Sequence, residues 1–250
     1  MLDGRLDSRN ALALVFDKAP HDSMRQPFYG IAEPALDTTV ENGPPGRPQL
    51  LKYNLRDQGY SDEEFSRWLV QQEPYEGLIT LVLEGNRLTA ASISALADSA
   101  IGILHTLPLG GNPLGDTGAA TLASEAAFSR LWILYIPGTG LSAAGLRHLF
   151  APDATLDFLV DLDLSDNDLG DEGARILATS ARSASLTHLY LDSTGLTDDG
   201  ARALADSPHL GALEYLSLDR NDLTAAGVAY LREQARFSEG AVLFLGEAFE

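Results

Sequence analysis

One pattern, L-x-x-L-x-L-x-x-N-x-L-x-x-x-G-x-x-x-L, recurs through most of this 250-residue chain and restricts what it can fold into. Its clearest copy begins at Leu159. Six places match it, counted at the Asn position, where Thr stands in two of them: Asn86, Asn112, Thr139, Asn167, Thr194 and Asn221. The intervals are 26, 27, 28, 27 and 27 residues by subtraction. Such a period indicates a repeat architecture, in which each unit buries its apolar face only against its neighbours.

Each copy predicts a short strand, a turn and a helix. Leucines alternate in segments such as Leu162-Asp163-Leu164, as they do in a strand with one buried side. The residue after the next leucine is a favourable helix N-cap in every copy: Thr89, Gly115, Ser142, Gly170, Thr197 and Thr224. Acidic residues such as Asp116 follow, where the helix dipole favours them. A glycine recurs three residues after the cap in five copies, which indicates close packing of helix against strand.

The pattern resembles leucine-rich repeats, specifically the ribonuclease-inhibitor-like subtype, whose units have about 27–28 residues and a full helix. The resemblance covers residues 77–235, and residues 241–246 are predicted to add a closing strand. It implies an α/β solenoid, a curved horseshoe arc with a parallel sheet on the concave face and helices on the convex face. Thr139 and Thr194 stand where cysteine often alternates with Asn in this subtype. A ribonuclease target is therefore not implied.

The first 76 residues lack the pattern and are predicted to form a mostly helical N-terminal capping region. The repeat domain is then 77–250, with six repeats and the closing strand. Residues 11–16 are predicted as a helix or a strand, with helix preferred, and residues 49–58 as a short helix. The proline-rich stretch 19–48 is predicted to be irregular.

A capping box is expected near the end of this region, between Ser61 and Glu64. The helix that it starts would cover the open apolar end of the first repeat with four side chains: Phe65, Trp68, Leu69 and Val70. Terminal repeats need such a cover, because they have a neighbour on one side only.

The resemblance also implies which residues point into the concave face. They stand six, four and two positions before the Asn position and form three columns. The first is Thr80, Thr106, Ile133, Asp161, His188, Tyr215 and Val242; the second is Val82, Pro108, Tyr135, Asp163, Tyr190, Ser217 and Phe244; the third is Glu84, Gly110, Pro137, Ser165, Asp192, Asp219 and Gly246. Seven strands about 4.8 Å apart give a face large enough for a protein interface.

The predicted binding residues concentrate in the C-terminal half of this face. They are Tyr135, Asp161, Asp163, His188, Tyr190, Asp192, Tyr215, Asp219 and Phe244. Tyrosine rings supply buried area in interfaces, and carboxylates pair with Arg or Lys, so the combination suits a basic protein partner. The alternative is a solvated sheet face on which Tyr and Asp are merely tolerated.

The charge balance narrows the classes of partner. The net charge of −19 repels nucleic acid and anionic lipid and attracts basic proteins, although solubility or adaptation to high salt would also explain it. No apolar run is long enough for a membrane span. A cytoplasmic location is expected, or export by a route without an N-terminal signal peptide. Two Lys against 15 Arg fit a GC-rich, bacterial source.

These observations favour a non-enzymatic protein-interaction module without a cofactor. The chain has no cysteine, and therefore neither a disulfide nor a thiolate metal site. Asp161, Asp163, Asp192 and Asp219 could hold Ca²⁺, but no loop wraps the ion. A carboxylate pair with His188 could form acid–base machinery. Two other hypotheses are a regulator of an enzyme such as a GTPase, and a bacterial effector acting on a host protein.

Overall fold

A computed structural model describes residues 37–41, 50–72, 78–99 and 101–246 of the chain. After a first strand, strands and α-helices alternate. In chain order they are β1 (Asp37–Glu41), β2 (Leu50–Asn54), α1 (Asp62–Leu69), β3 (Leu78–Val82), α2 (Ala90–Ala97), β4 (Ile103–Pro108), α3 (Gly115–Ser124), β5 (Ile133–Tyr135), α4 (Ala143–Leu149), β6 (Asp161–Asp163), α5 (Gly170–Thr179), β7 (His188–Tyr190), α6 (Asp198–Ala205), β8 (Tyr215–Ser217), α7 (Ala225–Gln234) and β9 (Val242–Phe244). The segment 11–16 lies outside the described residues.

The described strands form one sheet in the order β1 to β9. Strands β2 to β9 run parallel to one another, and β1 pairs antiparallel with β2. Consecutive parallel strands need a crossover connection. In the described residues, each crossover from β2 to β9 contains one α-helix. The α/β repeat solenoid predicted from the pattern is thereby confirmed, together with the closing strand β9.

The strand leucines form the centre of the core. Leu162, Leu189 and Leu216 stand in the middle of β6, β7 and β8, and each is at most 1% exposed. Burying a leucine side chain stabilises the fold by about 1.5–3 kcal/mol. Because the leucines pair in register across the strands, each repeat buries them against its neighbours.

The polar residue of each repeat is buried because it satisfies the backbone of two repeats. Asn167 is 4% exposed. Its Nδ2 donates to the carbonyls of Leu164 (3.0 Å) and Ile136 (2.8 Å), while its Oδ1 accepts from the N–H groups of Thr139 (3.1 Å) and Leu141 (2.9 Å). The same pattern of two carbonyl acceptors recurs at Asn86, Asn112 and Asn221.

First-turn aspartates link consecutive helices. Asp198 accepts from the N–H of Thr224 at Oδ1 (2.8 Å) and from its hydroxyl at Oδ2 (2.7 Å). These hydrogen bonds, the one from the hydroxyl first, hold the pKa of Asp198 below its ordinary value. Three further pairs repeat the arrangement: Asp62 with Thr89, Asp116 with Ser142, and Asp171 with Thr197. These aspartates therefore act on the next helix as well as on the dipole of their own.

At two junctions, α2 to α3 and α4 to α5, this pair is absent. Gly115 and Gly170, predicted as N-caps, are instead the first residues of α3 and α5, and no side chain caps those helices. Their φ angles of 58° and 55° turn the N–H groups toward the next repeat. There they donate to the carbonyls of Thr139 (3.0 Å) and Thr194 (2.9 Å). Alanine takes the aspartate position in the two preceding repeats, at Ala90 and Ala143.

At Gly145, Gly200 and Gly227 the glycine three residues after the cap leaves space for the linking aspartate, whereas at Gly118 and Gly173 a Cβ would meet the preceding leucine of the same repeat. A Cβ on Gly200 would lie 2.6 Å from Oδ1 of Asp171 and 3.1 Å from Cγ of Leu196. The Gly200 N–H also donates to that Oδ1 at 3.0 Å. Close packing explains the glycine as predicted, but its main partner is a carboxylate of the preceding repeat rather than a strand.

We expect Gly200→Ala to lower the free energy of unfolding by about 1–3 kcal/mol. Helix propensity alone would raise it by about 1 kcal/mol. The loss is expected because the new methyl group would push Asp171 away from Thr197. Urea unfolding measures the free energy of unfolding of the variant and of the wild type. In an Asp171→Ala background the substitution should be nearly neutral, so an equal loss in both backgrounds would contradict this explanation.

The segment 49–58 contains a strand and not the predicted helix. β2 pairs in parallel with β3 and places Lys52 opposite Thr80. Leu55, directly after the strand, is fully buried. With α1, residues 50–72 form a strand–turn–helix unit like those of the recognised repeats. The described part of the capping region is therefore not mostly helical.

The predicted capping box at α1 is confirmed. The Ser61 N–H donates to Glu64 Oε2 at 2.9 Å, and the Glu64 N–H donates to the Ser61 hydroxyl at 3.4 Å. Three of the four predicted covering side chains are buried: Phe65, Trp68 and Leu69. Val70 is 84% exposed, because it follows the last helical residue and turns outward. Within the stretch predicted as irregular, β1 is a strand.

Candidate functional site

The strand register brings the predicted columns together. In the first column, Asp161 lies between Ile133 and His188, and Tyr215 follows. The second column reads Tyr135, Asp163, Tyr190, Ser217 and Phe244. The register therefore makes these residues neighbours on one face, as predicted. We call the nine predicted binding residues the C-terminal patch: Tyr135, Asp161, Asp163, His188, Tyr190, Asp192, Tyr215, Asp219 and Phe244.

Aromatic rings cover the middle of the C-terminal patch. The Tyr190 and Tyr215 ring centroids are 5.2 Å apart with the planes tilted by 42°. The His188 ring stacks on Tyr215 at 6.1 Å. His188 is 5% exposed, whereas both tyrosines are half-buried. The tyrosines are therefore partly open to solvent, while the imidazole is almost fully buried.

Asp161 is the most unusual carboxylate of the patch. Its side chain is 1% exposed, and its Oδ2 accepts a hydrogen bond from the Tyr135 hydroxyl at 2.8 Å. Its Oδ1 accepts none. Burial raises its pKa to about 7; the Tyr135 hydrogen bond opposes this rise and the negative charge of Asp163 adds to it. Burial, followed by the charge of Asp161, raises the pKa of Tyr135 well above its ordinary value.

Asp192 is also buried, but internal donors satisfy it. It is 2% exposed, and its Oδ1 accepts from the Ser217 hydroxyl and from the N–H of Asp219, the latter at 2.9 Å. Asp192 was predicted as a contact residue from its column alone. In the fold it links β7 to the chain that leaves β8.

The remaining acidic and apolar members are half-buried. Asp163 accepts from the N–H of Ser165 at 2.9 Å. Asp219 lies 3.6 Å from Nε of Arg220, and Phe244 stands on β9 at the end of the described sheet. These side chains combine access to solvent with a fixed position. A partner could therefore reach them without rearranging the sheet.

The N-terminal half of the same face contains an ion pair that the three predicted columns did not include. Arg56 pairs with Glu84, and both side chains are largely buried. Arg56 lay in the segment predicted as a helix and was therefore not assigned to the face. The next strands present small or apolar groups, among them Pro108 and Gly110, and Gly110 packs against Pro137. The acidic and aromatic character thus belongs to the C-terminal half.

Across the described residues, no group of three or more histidine and acidic side chains is arranged to hold a metal ion. The four aspartates considered for Ca²⁺ therefore do not form such a group. None of the helices in the described ranges is long and apolar enough to cross a membrane.

Comparison with known proteins gives two similarities. A family model described as Leucine Rich repeat matches residues 104–123, 157–178 and 182–205. The ribonuclease inhibitor of Sus scrofa is 38% identical over 107 residues, which is 41% of this chain and 24% of that protein. The chain thus spans about a quarter of the length of this relative. With the repeat pattern and the parallel strand–helix solenoid, these similarities support a leucine-rich repeat, ribonuclease-inhibitor-like protein.

Proposed function

We propose that the chain is a non-enzymatic protein-interaction module that binds a basic or mixed protein surface through the C-terminal patch. The observation that carries this proposal is the contiguity of half-buried aromatic rings and carboxylates on adjacent strands. Tyr190 packs against Tyr215, and Asp163 is the register partner of Tyr190. Rings held in place lose little entropy when a partner covers them.

Charge supports a basic partner. The chain has a net charge of −19, and its field steers cationic surfaces toward it. Carboxylates at a patch form hydrogen bonds with Arg or Lys that are about twice as strong as neutral ones. Salt screens such attraction, with a Debye length of about 8 Å at physiological ionic strength. Binding at this patch should therefore weaken as salt rises.

The similarities support binding to another protein in general terms. The relative is named a ribonuclease inhibitor, a name that describes action on an enzyme. This chain covers only a quarter of that relative, so its target is not transferred here. The partner is proposed from the chemistry of the C-terminal patch.

We expect the double variant Tyr190→Ala/Asp163→Ala to abolish partner binding and to leave the melting temperature nearly unchanged. The two side chains are half-buried and neighbouring, so their loss removes ring area and charge without opening the leucine core. The measurement is capture from a lysate of the source cells at low and moderate salt, followed by calorimetric titration with the purified captured protein.

A matched control exists on the helical side. The Tyr230 hydroxyl donates to Asp206, and both residues are accessible, so Tyr230→Ala/Asp206→Ala removes the same two residue types. This control should bind the partner like the wild type. Equal loss in both double variants would show that bulk charge, rather than the C-terminal patch, carries the interaction. Loss of fold in the first variant would contradict the face assignment.

A further inference from the structure

Asp161 is a carboxylate in a position that an uncharged amide would fill at lower cost. It is 1% exposed, and the Tyr135 hydroxyl is the one hydrogen-bond donor to it within the described residues. Its Oδ1 is buried and unsatisfied. An unpaired charge in such a place is expensive, and a carboxyl group there tends to stay protonated.

The described groups around Asp161 include no arginine or lysine that would keep it ionised. Tyr135 on β5 donates to it, Asp163 stands two residues along the same strand, and His188 is its register partner on β7. Tyr190 lies beside His188 on the same face. No Arg or Lys within the described ranges forms an ion pair with Asp161. The cluster is therefore acidic and aromatic on every side that the structure describes.

We infer that Asp161 couples partner binding to pH: its carboxyl group is protonated on the free face and ionises when a guanidinium or ammonium group of the partner docks on the C-terminal patch. This inference rests on the proposed function. A cation within about 4–6 Å favours the charged form of a carboxyl group, so the docked group need not touch Oδ1. Asp161 is almost closed to water, which strengthens the interaction between the two charges.

The direction of the pH dependence follows from the proton count. Free protein holds a proton on Asp161 up to about neutral pH, since burial raises its pKa to about 7. The complex has lost that proton, so binding releases it, and affinity rises with pH until the free carboxyl group has ionised. The change is at most about tenfold per pH unit. Affinity for a cationic probe should therefore increase by about tenfold between pH 6 and pH 7.5 and level off above pH 8.

The experiment is an NMR titration of the full chain with the peptide acetyl-Arg-Gly-Arg-amide at pH 6, 7, 7.5 and 8.5. Its counterpart, with both arginines replaced by citrulline, has the same shape without the charge. We expect the arginine peptide to shift the resonances of the C-terminal patch, with an affinity that rises with pH as stated. Any shifts caused by the citrulline peptide should not depend on pH in this way. Asp161→Asn should remove the pH dependence. Binding of the arginine peptide by this variant should vary less than twofold over the range.

His188 needs its own control, because imidazoles as a class titrate between pH 5 and 8 and would also repel a cation at low pH. His188→Gln should keep the pH dependence. If the pH dependence disappeared in His188→Gln and persisted in Asp161→Asn, the inference would be overturned. A carboxyl carbon titration of Asp161 in the free protein should have its midpoint near 7, and a midpoint near 4 would also overturn it. Binding without pH dependence would remove the inference and leave the proposed function. Absence of binding at every pH would remove both.

Discussion

Replacing Asn167 with alanine should lower the free energy of unfolding by at least about 3 kcal/mol. The side chain is almost fully buried and forms hydrogen bonds with five backbone groups in two repeats. The substitution would leave the N–H groups of Thr139 and Leu141 without this acceptor. Each buried group left unsatisfied costs about 1–3 kcal/mol. Urea unfolding followed by circular dichroism, and by the fluorescence of the half-buried Trp132, measures the loss.

Asn221 is the matched control for this substitution. It bonds to the corresponding groups, the N–H of Thr194 and Leu196 among them, but it is only half-buried near the C-terminal end of the repeats. Water can replace part of its hydrogen bonding, so Asn221→Ala should cost less than Asn167→Ala. If both cost under about 1 kcal/mol, satisfaction of the backbone would not be the reason for the buried amide.

Replacing Asp161 with asparagine should stabilise the protein at pH 8. The folded pKa of about 7 lies above the ordinary value of 3.8. Between these values the folded protein holds more protons than the unfolded chain, so stability falls as pH rises through this window. One pKa unit corresponds to about 1.4 kcal/mol, which sets the cost of the ionised carboxylate at up to about 4 kcal/mol above pH 7. Asparagine removes that cost. The net stabilisation is smaller by the free energy that is lost when the amide N–H groups of asparagine are buried.

Thermal or urea unfolding at pH 4 and pH 8 tests this expectation. The gain should be present at pH 8 and absent at pH 4, where the carboxyl group is protonated in the folded protein. Asp163→Asn, on the same strand but half-buried, should show no comparable gain. If Asp161→Asn destabilised the protein equally at both pH values, the carboxylate would be ionised and well satisfied. Such a result would also remove the basis of the pH-linked binding.

The sequence predicted the repeats and columns because their signal is local and periodic. Alternating leucines determine which side of a strand is buried, and a fixed period makes neighbouring strands pair in register. The register of Asp161 with His188, and of Asp163 with Tyr190, follows from that period alone. For the same reason the pattern could place the nine residues of the C-terminal patch on one face.

What the sequence did not predict depends on neighbours in space. The burial of Asp161 comes from side chains on adjacent strands, and the residues of its own strand do not predict it. The strand at Leu50–Asn54 was missed because Gln58 stands at the Asn position and Tyr60 at the following leucine position, so that the unit no longer matches the pattern. This segment is a strand because it pairs with β3, and its own residues do not indicate that pairing.

The two kinds of junction between helices limit how such an array can change length. A repeat whose helix opens with Asp116 must be followed by one that offers a hydroxyl, and a repeat with Ala90 or Ala143 by one that opens with glycine. Removing residues 115–169 would place the helix that carries Ala90 directly before the helix that begins at Gly170. Alanine would then face glycine, as it does at the two existing junctions of this kind. Removing residues 142–169 alone would leave the Asp116 carboxylate facing Gly170, and removing residues 115–141 alone would leave the Ser142 hydroxyl facing Ala90. Repeats two and three can therefore be gained or lost as a pair but not singly.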